Sequence, residues 1–134
     1  MLALEKSWDD SIDLSGTTKL QEVAFQPSHN YIGWVATALK TITPEHTNLR
    51  RISIAIRFYS MPVPRYFTEG TYAQWVDLDH VLVQLWHSHS ILVKFVYFTR
   101  RLDVRNTVRK SIEDLLPEIT KEGAIRLINI KEVH

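Results

Sequence analysis

The 134-residue chain contains no cysteine. This absence excludes disulfide bonds, thiol catalysis and cysteine-based zinc sites, and it fits an intracellular protein, cytoplasmic or nuclear. No stretch approaches the roughly 18 consecutive apolar residues that a membrane-spanning helix needs. The start of the chain carries Glu5, Asp9, Asp10 and Asp13, whereas a secretory signal has a basic segment followed by an apolar one. We therefore expect neither a membrane anchor nor a signal peptide.

The chain also lacks an excess of charge of either sign. Sixteen Lys and Arg oppose fifteen Asp and Glu, which leaves a formal net charge of +1. A balance so close to neutral argues against nucleic acid or an anionic membrane as the partner. With 45% hydrophobic residues and no visible linker, residues 1–134 are predicted to form a single domain with a buried core.

A spaced apolar triplet of the form L-x-x-L-x-L recurs along the chain. Each copy has the length of one strand, and the intervals have room for a helix, so the pattern predicts parallel strands joined by helical crossovers. Such repetition is typical of a leucine-rich-repeat solenoid. We predict an α/β fold, a short leucine-rich-repeat-like solenoid of about four parallel strands in sequential order with helices on one side. The copies are Leu20/Val23/Phe25, Leu49/Ile52/Ile54, Leu92/Phe95/Tyr97 and Ile125/Ile128/Ile130.

Helical periodicity fills the intervals between the predicted strands. Apolar residues at three- and four-residue spacing predict helices over about Tyr31 to Ile42 and Tyr72 to His87. A third helix should follow Asp103, its expected N-cap. Pro117 should kink or split this helix, and Gly123 should end it.

Two further features concern the connections. Ser28 or Asn30 is expected to cap the first helix. Two prolines within Met61 to Tyr66 forbid both helix and regular strand pairing. This segment is interpreted as an insertion loop, and such loops in repeat proteins often carry function.

The N-terminal residues resemble the end of a preceding repeat rather than a cap, because Trp8, Ile12 and Leu14 are apolar. Terminal repeats of a solenoid need a polar outer face. We therefore expect the chain to be the C-terminal part of a longer repeat protein. The strand that begins at Lys19 should then be an exposed edge through which the chain can self-associate.

Four sets of residues are distinctive when taken together: WDDSIDLS, TITPEH, QWVDLD with LVQLW, and LLPEITK. They span most of the chain and resemble the C-terminal leucine-rich-repeat region of the F-box proteins of mushroom-forming fungi. In that family an N-terminal F-box engages the Skp adaptor of a cullin ubiquitin ligase, and the repeats hold the target. The resemblance thus implies a target-binding role, although no F-box segment is present in these residues.

In a solenoid, the residues between the apolar positions of each strand lie on an open sheet face. Alignment of the triplets puts Glu22, Arg51, Lys94 and Leu127 in one row, with neighbours about 4.8 Å apart. Glu22 should pair with Arg51, whereas Arg51 and Lys94 should repel each other unless an acidic group binds there. The alternative is a solvated or covered face without a partner. The predicted partner-binding residues are Glu22, Arg51, Ser53, Lys94, Val96 and Phe98.

Three other sets of residues contain groups that act in metal binding, catalysis or nucleic-acid binding. Asp77, His80 and His87 share a helix face, but their spacing is unlike that of the usual zinc-binding pairs. Ser88 lies between two histidines without the G-x-S-x-G turn of a hydrolase. A basic cluster is interpreted as a solvated helix surface, since the chain lacks the basic excess of a nucleic-acid-binding domain. Its members are Arg100, Arg101, Arg105, Arg109 and Lys110.

These observations favour a protein–protein interaction module that resembles the substrate-binding repeats of an F-box receptor. The alternative is a structural capping remnant with no partner of its own. A small metal-binding or hydrolytic enzyme is the weakest interpretation. We expect no catalytic residue, metal or cofactor, a protein partner, and no binding to nucleic acid or membrane.

Overall fold

A computed structural model describes residues 2–5, 12–27, 32–58, 69–99 and 105–131. These residues form strands and helices in the alternating order that the triplet pattern predicts, with one additional strand at the start. The predicted cap residues Ser28, Asn30 and Asp103 and the predicted loop 61–66 lie outside the described residues. The elements are β1 (Leu2–Glu5), β2 (Glu22–Gln26), α1 (Gly33–Leu39), β3 (Arg51–Phe58), α2 (Glu69–His89), β4 (Leu92–Thr99), α3 (Arg105–Leu115), α4 (Pro117–Lys121) and β5 (Ile125–Lys131).

The strands form one parallel sheet in the order β1-β2-β3-β4-β5. The predicted α/β class and the sequential parallel order of the four strands β2 to β5 are confirmed. Strand β1 was missed because its four residues contain no apolar triplet. It pairs with β2 from Leu2 opposite Val23 to Glu5 opposite Gln26. The prediction that β2 forms an exposed edge is therefore wrong.

One face of the sheet is buried and carries the core. Its strand residues alternate with exposed or half-buried ones, as expected for strands covered on one side. In α1 and α2, Trp34 packs edge-on against Phe25 at 5.6 Å between ring centroids, and Trp75 lies 5.9 Å from Phe95. Buried residues of α3 and α4 join the same cluster, so the helices cover this face. The buried strand residues are Val23, Phe25, Ile52, Ile54, Ile56, Val93, Phe95 and Tyr97.

Side chains of α2 cap the start of two other helices. Gln74 accepts hydrogen bonds through Oε1 from the backbone N–H groups of Ile32 and Gly33, both at 2.9 Å. The carboxylate of Asp79 accepts from the N–H groups of Glu118 and Ile119, at 3.1 and 2.9 Å. Unpaired amides at helix starts need such acceptors. Helix α2 thereby fixes the positions of α1 and α4 relative to itself.

The predicted helix ends are partly confirmed. Pro117 splits the third helix into α3 and α4 and occupies the first turn of α4. Gly123 follows α4 with a φ of 72°, a left-handed conformation that suits glycine at the end of a helix. Helix α1 is shorter than predicted. It ends at Leu39, and Thr41 and Ile42 continue with tighter bonds to the carbonyls three residues earlier.

A buried histidine joins the segment before β2 to the turn before β3. Imidazole Nε2 of His46 donates to the carbonyl oxygen of Leu14 at 2.8 Å, while Nδ1 accepts from the N–H of Thr43 at 3.0 Å. The N–H of Leu14 donates to Oγ1 of Thr41 at 2.7 Å. Because His46 is 0% exposed, it acts as a structural link and has no access to a ligand.

Candidate functional site

The six predicted binding residues lie on the sheet face that is not covered by helices, here called the open face. Each of them alternates with buried residues of the same strand. Arg51 and Lys94 are exposed, and the other four are partly exposed. Their placement agrees with the sequence analysis, and their role in binding stays a prediction. The six residues are Glu22, Arg51, Ser53, Lys94, Val96 and Phe98.

The predicted row across the open face is correct for the first pair of strands and wrong for the next. Glu22 lies opposite Arg51. Arg51, however, lies opposite Leu92, and Lys94 lies opposite Ser53 on one side and Arg126 on the other. The predicted row is wrong there because Ile52 and Ile54 pair with Val93 and Phe95, two residues earlier than the third triplet predicts. In the structure Leu92 is 53% exposed and belongs to the open face.

The fourth triplet also needs correction. Ile125 and Leu127 lie opposite Val93 and Phe95 and pack against the core. Ile128 and Ile130 have the opposite parity and lie on the open face, where Ile130 is 43% exposed. In β5 both parities carry isoleucine or leucine, so alternation alone could not assign the faces there.

The acidic group of the open face is already engaged. Glu22 Oε2 lies 3.8 Å from Nη1 of Arg51, as the predicted pairing requires. Glu22 Oε1 also accepts a hydrogen bond from the hydroxyl of Ser53 at 2.9 Å. Nearby, Arg50 donates through Nη1 to the carbonyl oxygens of Thr47 and Leu49, at 2.8 and 3.2 Å. Glu22 is therefore bound by Arg51 and Ser53, and Arg50 is bound to the turn before β3.

Lys94 and Arg126 form a pair of like charge, in contrast to Glu22 and Arg51. They are directly opposite each other on β4 and β5, and such neighbours lie about 4.8 Å apart along the backbone. Both are exposed. Within the described ranges, neither makes an ion pair with a carboxylate. Like charges in opposing positions destabilise a sheet, so this pair favours the binding of an anion.

A depression of about 480 Å³ surrounds these two cations. Arg51, Leu92 and Ile128 also line it, together with the start of β5. Arg126 was not among the predicted site residues because the triplet alignment put Leu127 beside Lys94. In the structure Ile125 pairs with Val93 and packs against the core, which places Arg126 opposite Lys94 on the open face.

Apolar side chains follow the cations toward the C-terminal ends of the same two strands. Val96 lies opposite Ile128, and Phe98 lies opposite Ile130. Val96, Phe98 and Ile128 are partly exposed and Ile130 is exposed. We call these four residues the apolar strip. On the open face of β4 and β5, the exposed Leu92 is thus followed by the two cations and then by the apolar strip.

The histidines of α2 occupy separate sites. Asp77 Oδ2 pairs with Nζ of Lys40 at 2.9 Å, and His87 Nε2 lies 3.3 Å from Oε1 of Glu122. His80 is exposed. In the part of the chain that the structure describes, no group of three acidic or imidazole side chains is arranged to hold a metal ion.

Ser88 and His89 form a hydrogen-bonded pair. The hydroxyl of Ser88 lies 2.6 Å from Nδ1 of His89, and His89 Nε2 lies 2.9 Å from the carbonyl oxygen of Thr43. The carbonyl can only accept, so Nε2 carries the proton and Nδ1 accepts from Ser88. The pair lies at the C-terminal end of α2, where the helix dipole disfavours a developing oxyanion. The geometry therefore gives little support to hydrolysis.

The basic cluster on α3 is partly neutralised. Arg109 Nε lies 3.4 Å from Oε1 of Glu113, one helical turn later. Lys110 is exposed. Arg100 and Arg101 lie outside the described residues. The contact of Arg109 is that of an ordinary solvated helix surface.

The open face is therefore the candidate site.

Among the described helices, none combines the length and apolar character required to cross a membrane. Comparison of the chain with protein-family models, with curated proteins and with solved structures gave no match.

Proposed function

We propose that the chain is a protein-interaction module that binds its partner through the open face. The observation that carries the proposal is the difference between the two faces of the sheet. One is buried under the helices, whereas the other presents the cations Lys94 and Arg126 beside an apolar strip. A surface that combines unneutralised charge with partly exposed apolar side chains suits recognition of a protein, because both contribute to binding interfaces.

We extend the proposal to a repeat architecture. Parallel strands in sequential order with helices over one face are what a leucine-rich-repeat-like solenoid requires. The first two triplets stack in register, with Val23 opposite Ile52 and Phe25 opposite Ile54. In this proposal residues 1–134 are one domain that belongs to the C-terminal part of a longer, intracellular repeat protein. Its role is that of the target-binding repeats of an F-box ubiquitin-ligase receptor, a link that rests on the sequence resemblance.

The test selects peptides that bind the chain from a displayed library of random peptides. The affinity of the selected peptides is then measured for surface variants of the chain. Ala55→Arg places a bulky charge on the partly exposed middle of the open face. Gln84→Arg adds the same charge at an exposed position of α2. Both variants are first checked for folding by circular dichroism and thermal unfolding.

We expect Ala55→Arg to weaken the selected binders by roughly tenfold or more, since a buried unpaired charge costs more than 1.4 kcal/mol at an interface. Gln84→Arg should leave the affinity unchanged. Equal affinities for both variants would mean that the open face is not the binding surface. A selection that yields no binder would favour the alternative, a capping remnant without a partner.

A further inference from the structure

We infer that the depression around Lys94 and Arg126 is an anion site, and that the open face binds an extended protein segment bearing acidic residues at one end and apolar residues at the other. The inference rests on the proposed function and specifies the chemistry of the partner. It depends on the observed pairing of β4 with β5, which brings Arg126 next to Lys94.

The first step concerns charge. Lys94 and Arg126 repel each other from opposing positions, and the nearby carboxylate of Glu22 is engaged by Arg51 and Ser53. A carboxylate from outside would lie between the two cations and relieve the repulsion. Arg126 can hold such a group with two parallel hydrogen bonds, and Lys94 adds a point charge.

The second step concerns spacing along the strands. Alternate residues of a strand are about 6.6 Å apart, so the first apolar pair, Val96 and Ile128, lies one such step beyond the cations. The second pair, Phe98 and Ile130, lies two steps beyond. An extended segment that runs along β4 and β5 has the same two-residue repeat. The matching pattern is an acidic residue, then apolar residues two and four positions away.

The apolar strip also favours a protein segment over nucleic acid as the ligand of the open face. A nucleic-acid backbone repeats its charge at every nucleotide and needs a continuous basic surface. Here the basic surface of β4 and β5 gives way to aliphatic and aromatic side chains after one pair of cations. The combination is complementary to an acidic and apolar peptide.

The experiment uses fluorescence anisotropy with a dye-labelled peptide of two glutamates followed by alternating serine and valine. A second peptide replaces the glutamates with lysines, and a third replaces the valines with serines. The protein is the full chain, its Lys94→Gln/Arg126→Gln variant, and a matched Lys110→Gln/Lys121→Gln variant. The matched variant removes the same charge from exposed positions of α3 and α4.

We expect the first peptide to bind the full chain and to bind the Lys94→Gln/Arg126→Gln variant at least roughly tenfold more weakly, since the two hydrogen bonds of Arg126 and the charge of Lys94 are lost. The matched variant should bind as the full chain does. The lysine peptide should not bind, and the serine peptide should bind more weakly than the first. Lys94→Gln/Arg126→Gln should not unfold at a lower temperature than the full chain, because it relieves a repulsion, so lost binding cannot be attributed to lost folding.

Four results would overturn the inference: no saturable binding of the first peptide at millimolar concentration, equal losses in both double variants, equal binding of the lysine peptide, or tighter binding of a single-stranded oligonucleotide that depends on the same two cations. Failure of the proposed function is distinguishable. If library-selected binders are sensitive to Ala55→Arg but contain no acidic residues, the open face binds proteins and only the anion site is wrong. If Ala55→Arg has no effect either, both proposals fail.

Discussion

Asp79 is a buried carboxylate whose hydrogen bonds hold α4 against α2. It is 3% exposed and accepts two backbone N–H groups at the start of α4. Asp79→Ala leaves these amides without an acceptor, so we expect the free energy of unfolding in urea to fall by about 2 kcal/mol. Asp79→Asn keeps one acceptor oxygen and should cost less. Asp77→Ala removes only an exposed ion pair to Lys40 and should cost under about 1 kcal/mol. Similar losses for both alanine variants would contradict the capping role.

His46 offers a second test at the residue scale. Its ring links the carbonyl of Leu14 to the N–H of Thr43 in a fully buried position. His46→Ala should lower the unfolding free energy by about 2 to 3 kcal/mol, because both backbone groups lose their partner. His80→Ala at an exposed position of α2 should change it by less than about 0.5 kcal/mol. Thermal unfolding of the two variants compares them directly, and equal shifts would show that the link through His46 is weak.

The buried apolar residues give a third comparison. Leu82 and Ile54 are 1% and 0% exposed, so changing either to alanine should cost roughly 2 to 5 kcal/mol in unfolding free energy. For comparison, His89 hydrogen-bonds to Ser88 and Thr43, so His89→Ala should cost only about 1 kcal/mol. Urea titration measures all three, and a neutral Leu82→Ala or Ile54→Ala would show that the core is assigned wrongly.

At the scale of elements, periodicity predicted β2 to β5 and the three helical regions because each element has one apolar face. It could not predict the caps of α1 and α4, since Gln74 and Asp79 reach them from a distant part of the chain. Periodicity also could not predict which residues of β4 and β5 lie opposite each other. In β4 the third triplet is shifted by two residues, which keeps every side chain on its own face and changes its neighbour. In β5 the fourth triplet has the wrong parity, which exchanges the two faces and puts Leu127 in the place of Arg126.

At the scale of elements, we predict that strand β1 limits self-association. It occupies the edge of β2 from Val23 to Gln26. β1 is itself a short edge strand of four residues, and very short edge strands limit pairing with other chains. Removal of residues 1–5 makes the longer β2 the edge, so we expect the shortened chain to self-associate with rising concentration. Removal of residues 132–134, which lie beyond β5, is the control. Light scattering after size-exclusion chromatography measures the association, and a monomeric shortened chain would contradict the protective role of β1.

For the whole molecule, the balanced net charge of +1 conceals an uneven distribution. The acidic Glu22 of the open face is paired locally, whereas Lys94 and Arg126 stand together without a carboxylate partner in the described ranges. Proteins often retain such unfavourable placements where a ligand supplies the missing charge, at a cost in stability. Stability and binding should therefore respond in opposite directions to the same change.

Arg126→Glu tests this relation directly. The new carboxylate lies opposite Lys94, so repulsion becomes attraction and the unfolding free energy should rise by about 0.2 to 1 kcal/mol in low salt. Arg126→Gln, the control, removes the repulsion without adding an attraction and should give a smaller rise. At about 1 M salt, where the screening length falls to about 3 Å, the difference between the two variants should shrink. The glutamate variant should also lose the acidic peptide. If it unfolds more easily than the full chain in low salt, Lys94 and Arg126 are not neighbours, and the anion site has no structural basis.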